Sequence, residues 1–104
     1  MSEQKKLGLL LTTSPEHANT NTVIKLAEAA LEKGVEVRIF LTGDGVFNIN
    51  HINFLRLTNK GAHVCACIQN LNERFQDEAD DIQMGSLYDL AKDAREVDKL
   101  LAFC

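Results

Sequence analysis

The 104-residue sequence has no tryptophan, one proline, one tyrosine and three cysteines. An odd, small cysteine count provides no disulfide framework. The apolar runs are far shorter than the ~20 residues of a membrane helix. Neither charge sign forms a dominant block, and the formal net charge is only -4. That balance argues against nucleic acid or an anionic membrane as the main partner. The sequence contains neither GxGxxG nor GxxxxGK[ST], so no standard phosphate-binding loop is present. It also lacks a second Cys/His cluster of the kind that completes a zinc site.

What remains is ordinary for a globular protein: 45% apolar and 25% charged residues. The length suits one small domain spanning residues 1–104. The opening MSEQKKLGLLL lacks the apolar stretch and small-residue cleavage site of a signal peptide. The expectation is therefore a cytoplasmic protein, where disulfides are not maintained. Any role for the cysteines is read first as thiol chemistry or metal binding.

Strand and helix periodicities alternate along the chain. LGLLLT, 7–12, is the apolar run of a strand buried on both faces. In TTSPEH, Ser14 suits an N-cap and Pro15 the first helical position. Val23, Leu26, Ala27, Ala30 and Leu31 follow at helical spacing, and Gly34 ends the helix. VEVRIFLT, 35–42, alternates as a second strand. GDGV, 43–46, reads as a tight turn needing a positive φ at Gly43 or Gly45. Residues 48–59 suggest a helix, AHVCACI, 62–68, a third strand, and NLNERF the start of another helix. QDEADD is an acidic solvated segment, and Ile82–Met84 suits a short strand. Ser86 and Asp89 form a capping-box variant before a last helix, and DKLLAF is a closing strand. This order predicts an α/β domain with a mainly parallel sheet and helices on both faces.

Ligands of such sheets bind beyond the carboxyl ends of the strands. The rim there would gather Thr13 and Ser14, the Gly43-Asp44-Gly45 turn, and the end of strand three near Cys67. Asn70, in the next helical turn, is a candidate hydrogen-bond donor to the same rim. Cys67 falls at a strand-to-helix junction, and a helix N-terminus favours thiolate over thiol. Cys65 lies two residues earlier on the same face and reads as a small buried hydrophobe. On these grounds Cys67 is open to two readings, packing residue and reactive thiol. His63, Cys65 and Cys67 project in parallel from one strand, which does not converge on a metal ion. A Cys65–Cys67 disulfide within one extended strand would be strained. His17 and His51 have no partner motif that marks a catalytic base, and Cys104 is a terminal thiol.

Four segments together resemble the DsrE/DsrF-like family, which includes the TusD-type sulfur-relay subunits. They are the apolar strand running into TTSPEHANTNTVIKLAEAALEKG, then VRIFLTGDGV, HVCACIQNLNER and GSLYDLAKDAREVDKLLAF. They span nearly the whole chain in the family's order. The resemblance implies a DsrE-like α/β fold and assembly as trimers or hexamers, of one chain or of related subunits. It also implies a sulfur-carrier role, a sulfurtransferase chemistry in which a cysteine persulfide passes sulfur from a donor protein to an acceptor protein. No cofactor or metal is implied. The family's carrier cysteine precedes an Arg-Gly pair by the spacing that separates Cys67 from Arg74, which points to Cys67, with Cys65 as the alternative. Phe75 stands where that glycine is usual. Two other functions fit the same family: a non-catalytic assembly or regulatory subunit, and a thiol-redox protein using Cys65 and Cys67.

Overall fold

The computed structural model describes residues 4–104. Five strands form one sheet: β1 (Lys6–Leu11), β2 (Glu36–Leu41), β3 (His63–Cys67), β4 (Gln83–Gly85) and β5 (Lys99–Phe103). Their spatial order is β4-β3-β2-β1-β5, and every neighbouring pair is parallel. The helices are α1 (Ala18–Glu32), α2 (Ile52–Asn59), α3 (Ile68–Glu73) and α4 (Leu87–Glu96). A 3-10 helix covers Gly43–Asn50. The expected α/β domain with a parallel sheet and helices on both faces is thus observed.

The two faces follow from the connections. From β1 to β4 the chain steps across the sheet in one direction. Right-handed crossovers then place α1, α2 and α3 on a single face. From β4 the chain returns past three strands to β5, so α4 lies on the opposite face. The side chains obey this division. Leu9, Leu11, Ile39, Leu41, Val64 and Ala66 point into the main core with Val23, Phe54, Leu57 and Leu71 of α1, α2 and α3. Phe40, Cys65 and Cys67 alternate to the other face, where Leu10 and Leu90 pack on them.

The α4 face is the thinner one. No residue of α4 is fully buried. Its hold on the sheet includes Arg38, which pairs with Asp93 at 3.2 Å and Glu96 at 3.1 Å. Arg38 also reaches Glu36 within its own strand, at 2.7 Å. The capping box expected at Ser86 and Asp89 is present.

Two helix starts depart from expectation. Ser14 does not cap α1: Pro15 and Glu16 form a turn, and the cap is His17, whose Nδ1 accepts the Asn19 N–H at 3.1 Å. His51 caps α2 in the same way, through the Asn53 N–H at 3.3 Å. Both histidines thus have structural work in hydrogen bonds that free histidine nitrogens readily accept. The helix expected over 48–59 divides into the end of the 3-10 segment and α2, with His51 extended between them.

Candidate functional site

Adjacent strands whose exits turn to opposite faces open a crevice at the carboxyl edge of a parallel sheet. In this topology that pair is β3 and β4. The chain leaves β3 for α3 on one face and leaves β4 for α4 on the other. Cys67 is the last residue of β3 and the N-cap residue of α3. Its partner in the ladder is Gly85, the last residue of β4. The expected strand-to-helix junction is therefore where Cys67 stands, and it coincides with the switch of faces.

The 3-10 segment after β2 closes one side of this edge. Gly43 has φ +54, the left-handed geometry expected for that turn. Gly45 serves differently: a Cβ there would lie 2.1 Å from the Leu11 carbonyl oxygen, so only glycine lets the turn sit against β1. Asn70 of α3 ties the turn down, its Oδ1 accepting the Gly43 N–H at 2.9 Å. The expected role of Asn70 as a donor toward the rim is thus corrected in one respect, since its carbonyl end accepts from the turn. Its amide nitrogen donates to Glu73 at 3.0 Å. Arg74 adds a second tie, to Asp44 at 2.9 Å.

Thr13 and Ser14 belong to the loop after β1. The Thr13 carbonyl accepts from Asn48 Nδ2 at 3.0 Å, and the same nitrogen donates to the Gly45 carbonyl at 2.9 Å. Asn48 Oδ1 accepts from the Thr20 hydroxyl at 2.8 Å. This buried asparagine therefore joins the loops after β1 and β2 to α1. Sequence reasoning missed it; a lone polar residue among Val46, Phe47 and Ile49 was the available signal. Ser14 instead turns outward and donates to Glu16. That hydrogen bond leads the causes that hold the Glu16 carboxyl below its ordinary value. Among the described residues, Thr13 Oγ1 is buried without a hydrogen-bond partner.

Both β3 cysteines are enclosed, Cys65 at 5% and Cys67 at 4% exposure. The end of β3 is thus covered, with Leu90 of α4 and Leu10 packed against the cluster of Phe40, Cys65 and Cys67. The two thiols differ in surroundings. Cys65 opens on a cavity of about 360 Å³ between the sheet and α4, whose walls include Arg38, His63, Asp89 and Asp93. Burial, and then the carboxylates of Asp89 and Asp93, push the Cys65 thiol up to about 12. Cys65 is therefore a neutral thiol at physiological pH. Cys104 is exposed, and all three thiols are free. Among the described residues no group of three His, Cys, Asp or Glu side chains is placed to hold a metal ion.

Comparison with known proteins supports the architecture. The DsrE/DsrF-like family matches residues 5–103 of the chain. The crystal structure of the ychN protein from E. coli superposes with a TM-score of 0.80 at 21% identity, covering 97% of this chain and 100% of that one. BT1422, a conserved protein of unknown function from Bacteroides thetaiotaomicron, superposes with a TM-score of 0.78 at 20% identity, covering 95% of each chain. At these identities the likeness is one of fold. No curated protein matches the chain.

Proposed function

The chain belongs to the DsrE/DsrF-like family, and from that premise we propose that it is a sulfur carrier whose working thiol is Cys67. The observation that supports this reading is the position of Cys67 at the end of β3, opposite Gly85, where exits to the two faces diverge. Cys65, its neighbour on the strand, is held protonated by burial and by Asp89 and Asp93. Thiolate, not thiol, performs sulfur exchange.

The proposed chemistry is two exchanges without net oxidation. The Cys67 thiolate attacks the terminal sulfur of a donor persulfide. The donor's S–S bond breaks, the donor thiolate leaves, and a Cys67 persulfide forms. An acceptor thiolate then attacks the terminal sulfur, and Cys67 departs as thiolate. Neither step calls for a metal or cofactor. Partners are a donor protein and an acceptor protein, and the setting is the reducing cytoplasm, where free thiols persist. Among the described residues no helix is long and apolar enough to cross a membrane. Access requires the Leu90 turn of α4 to move, and α4 is the helix with no fully buried residue. Elements with few buried contacts open at the lowest free energy.

The test is intact mass spectrometry after incubation with a cysteine desulfurase and cysteine. The parent gains one sulfur; Cys65→Ser and Cys104→Ser gain it too; Cys67→Ser does not. A parent that stays unmodified, or a Cys67→Ser chain that loads, overturns the proposal. The burial of Cys67 favours one rival, a non-catalytic subunit of the same fold. That rival expects no sulfur gain, and unchanged partner binding in Cys67→Ser.

A further inference from the structure

Phe75 departs from two rules at once. Its φ is +53, and it is the one residue other than glycine with positive φ among the described residues. Its ring is 96% exposed. The backbone reason is local. The Phe75 N–H reaches the Asn72 carbonyl at 3.2 Å, and the Gln76 N–H reaches back to Leu71 at 3.0 Å, closing α3 as a helix C-terminus that favours glycine. For a bulky residue that conformation is strained. No contact within the chain repays it, since the ring lies in solvent. Strain kept at an exposed aromatic points to a use outside the folded chain. The segment that follows carries Asp77, Glu78, Asp80 and Asp81, all exposed, and among the described residues none lies within 4 Å of a basic group in an ion pair.

A matching surface exists elsewhere on the same molecule. At the amino ends of β1 and β5 an open groove of about 350 Å³ is walled by Leu7, Leu26, Ala29, Ala30 and Val35. A cavity of ~150 Å³ suffices for benzene, so the groove has room for a phenyl ring. Lys5, Lys6, Lys33 and Lys99 line its edge, together with Asp98, which accepts the Lys6 backbone N–H at 2.7 Å. Among the described residues none of these four lysines forms an ion pair. Phe75 follows α3 in the connection between β3 and β4, and it is not among the residues of α1, β1 and β5 that wall the groove. The exposed ring is therefore not filling the groove of its own chain.

We infer that Phe75 and the acidic segment 77–81 of one copy dock into the lysine-edged groove of a second copy. The ring supplies a desolvated anchor, and the two sets of unpaired charges set the orientation. Two different patches meet, so the contact is heterologous and propagates from copy to copy until it closes. This stands whether or not Cys67 carries sulfur.

Sedimentation of the full chain at increasing concentration tests it. The parent associates, and the association weakens as salt rises. Phe75→Gly relieves the backbone strain and removes the knob. It is expected to fold at least as stably while its dissociation constant rises about 30-fold or more, the loss of a hot-spot anchor. Phe75→Asn, which tolerates the same φ, repeats the result should the glycine variant fold poorly. Ala29→Glu blocks the groove and leaves the knob. Mixed with Phe75→Gly it restores a one-to-one pair that grows no further, because one intact knob meets one intact groove. A parent that remains monomeric, a Phe75→Gly chain that assembles like the parent, or a mixture that forms no pair overturns the proposal.

Discussion

Gly85 makes room for Cys65. A Cβ added at Gly85 would lie 2.5 Å from Cys65 Sγ and 2.8 Å from Asp89 Oδ2. The β4 backbone, the first turn of α4 and the Cys65 thiol thus share one tight space. Gly85→Ala should cost about 1–3 kcal/mol, as overpacked sites do. Cys65→Ala in the same chain should recover part of that loss in urea unfolding. Strictly additive effects would show that the two sites do not meet.

The raised Cys65 thiol has a consequence for alkaline stability. Its ordinary value is 9.0, and its folded value is about 12. The neutral thiol is favoured in the folded chain, so this contribution is complete below pH 9 and is lost as pH rises toward 12. Within that window the unfolded chain has given up its proton while the folded chain retains it. The stability of the parent should therefore fall with rising pH across that window through this group. In Cys65→Ala the same window should be flatter in denaturant titrations. An unchanged alkaline slope would contradict the assignment.

Arg38 links β2 to α4 through Asp93 and Glu96. Its hydrogen bond is the leading cause that holds the Glu96 carboxyl below its ordinary 4.5. A depressed carboxyl contributes stability above its unfolded value and loses it as pH falls through the folded one. Arg38→Gln should therefore be less stable than the parent at neutral pH, and the gap should narrow in acid below pH 4.5. Unfolding curves at neutral and acid pH measure that gap; a constant difference would remove Arg38 as its source.

The turn after β2 supplies a contrast in severity. At Gly45 a Cβ would strike the Leu11 carbonyl, and strand backbone cannot yield. Gly45→Ala should cost about 3 kcal/mol or more, the upper end for overpacking. Asn70→Ala removes one acceptor from the Gly43 N–H and should cost about 1 kcal/mol. Thermal unfolding of both variants gives the order, and the reverse order would refute it.

Thiol labelling should follow exposure. Cys104 is exposed and should react with an aromatic disulfide at once, while Cys65 and Cys67 wait on opening of α4. Leu90→Ala removes the α4 side chain packed on the cysteine cluster and should speed labelling at Cys67. If both buried thiols label as fast as Cys104 in the parent, the roof over them is not closed in solution.

Much of the architecture was readable from local pattern. Apolar runs at 7–12 and 35–42 marked β1 and β2, and Gly34, with φ +78, ended the first helix as expected. Cys65 and Cys67 share a face because strand side chains alternate, and Cys67 ends its strand as read from HVCACIQN. Local pattern was less reliable where more than one residue could cap a helix. Ser14 is the better cap by residue type, yet Pro15 and Glu16 form a turn that delays the helix to Ala18 and leaves His17 as its cap.

Long-range matters lay beyond the sequence. Nothing in VCACI says which helix will cover the cysteines. That depends on β4 returning past three strands to β5, which carries α4 to the cysteine face and lowers Leu90 onto it. Nor does LTGDGV reveal that Asn70 and Arg74, some 30 residues away, hold its turn. The sequence by itself determined the periods of the elements and the face each strand residue takes, because these follow from backbone geometry over a few residues. Only the tertiary structure decided that Cys67 is buried and that Cys65 is held neutral. Burial and charge are properties of what the rest of the chain places nearby.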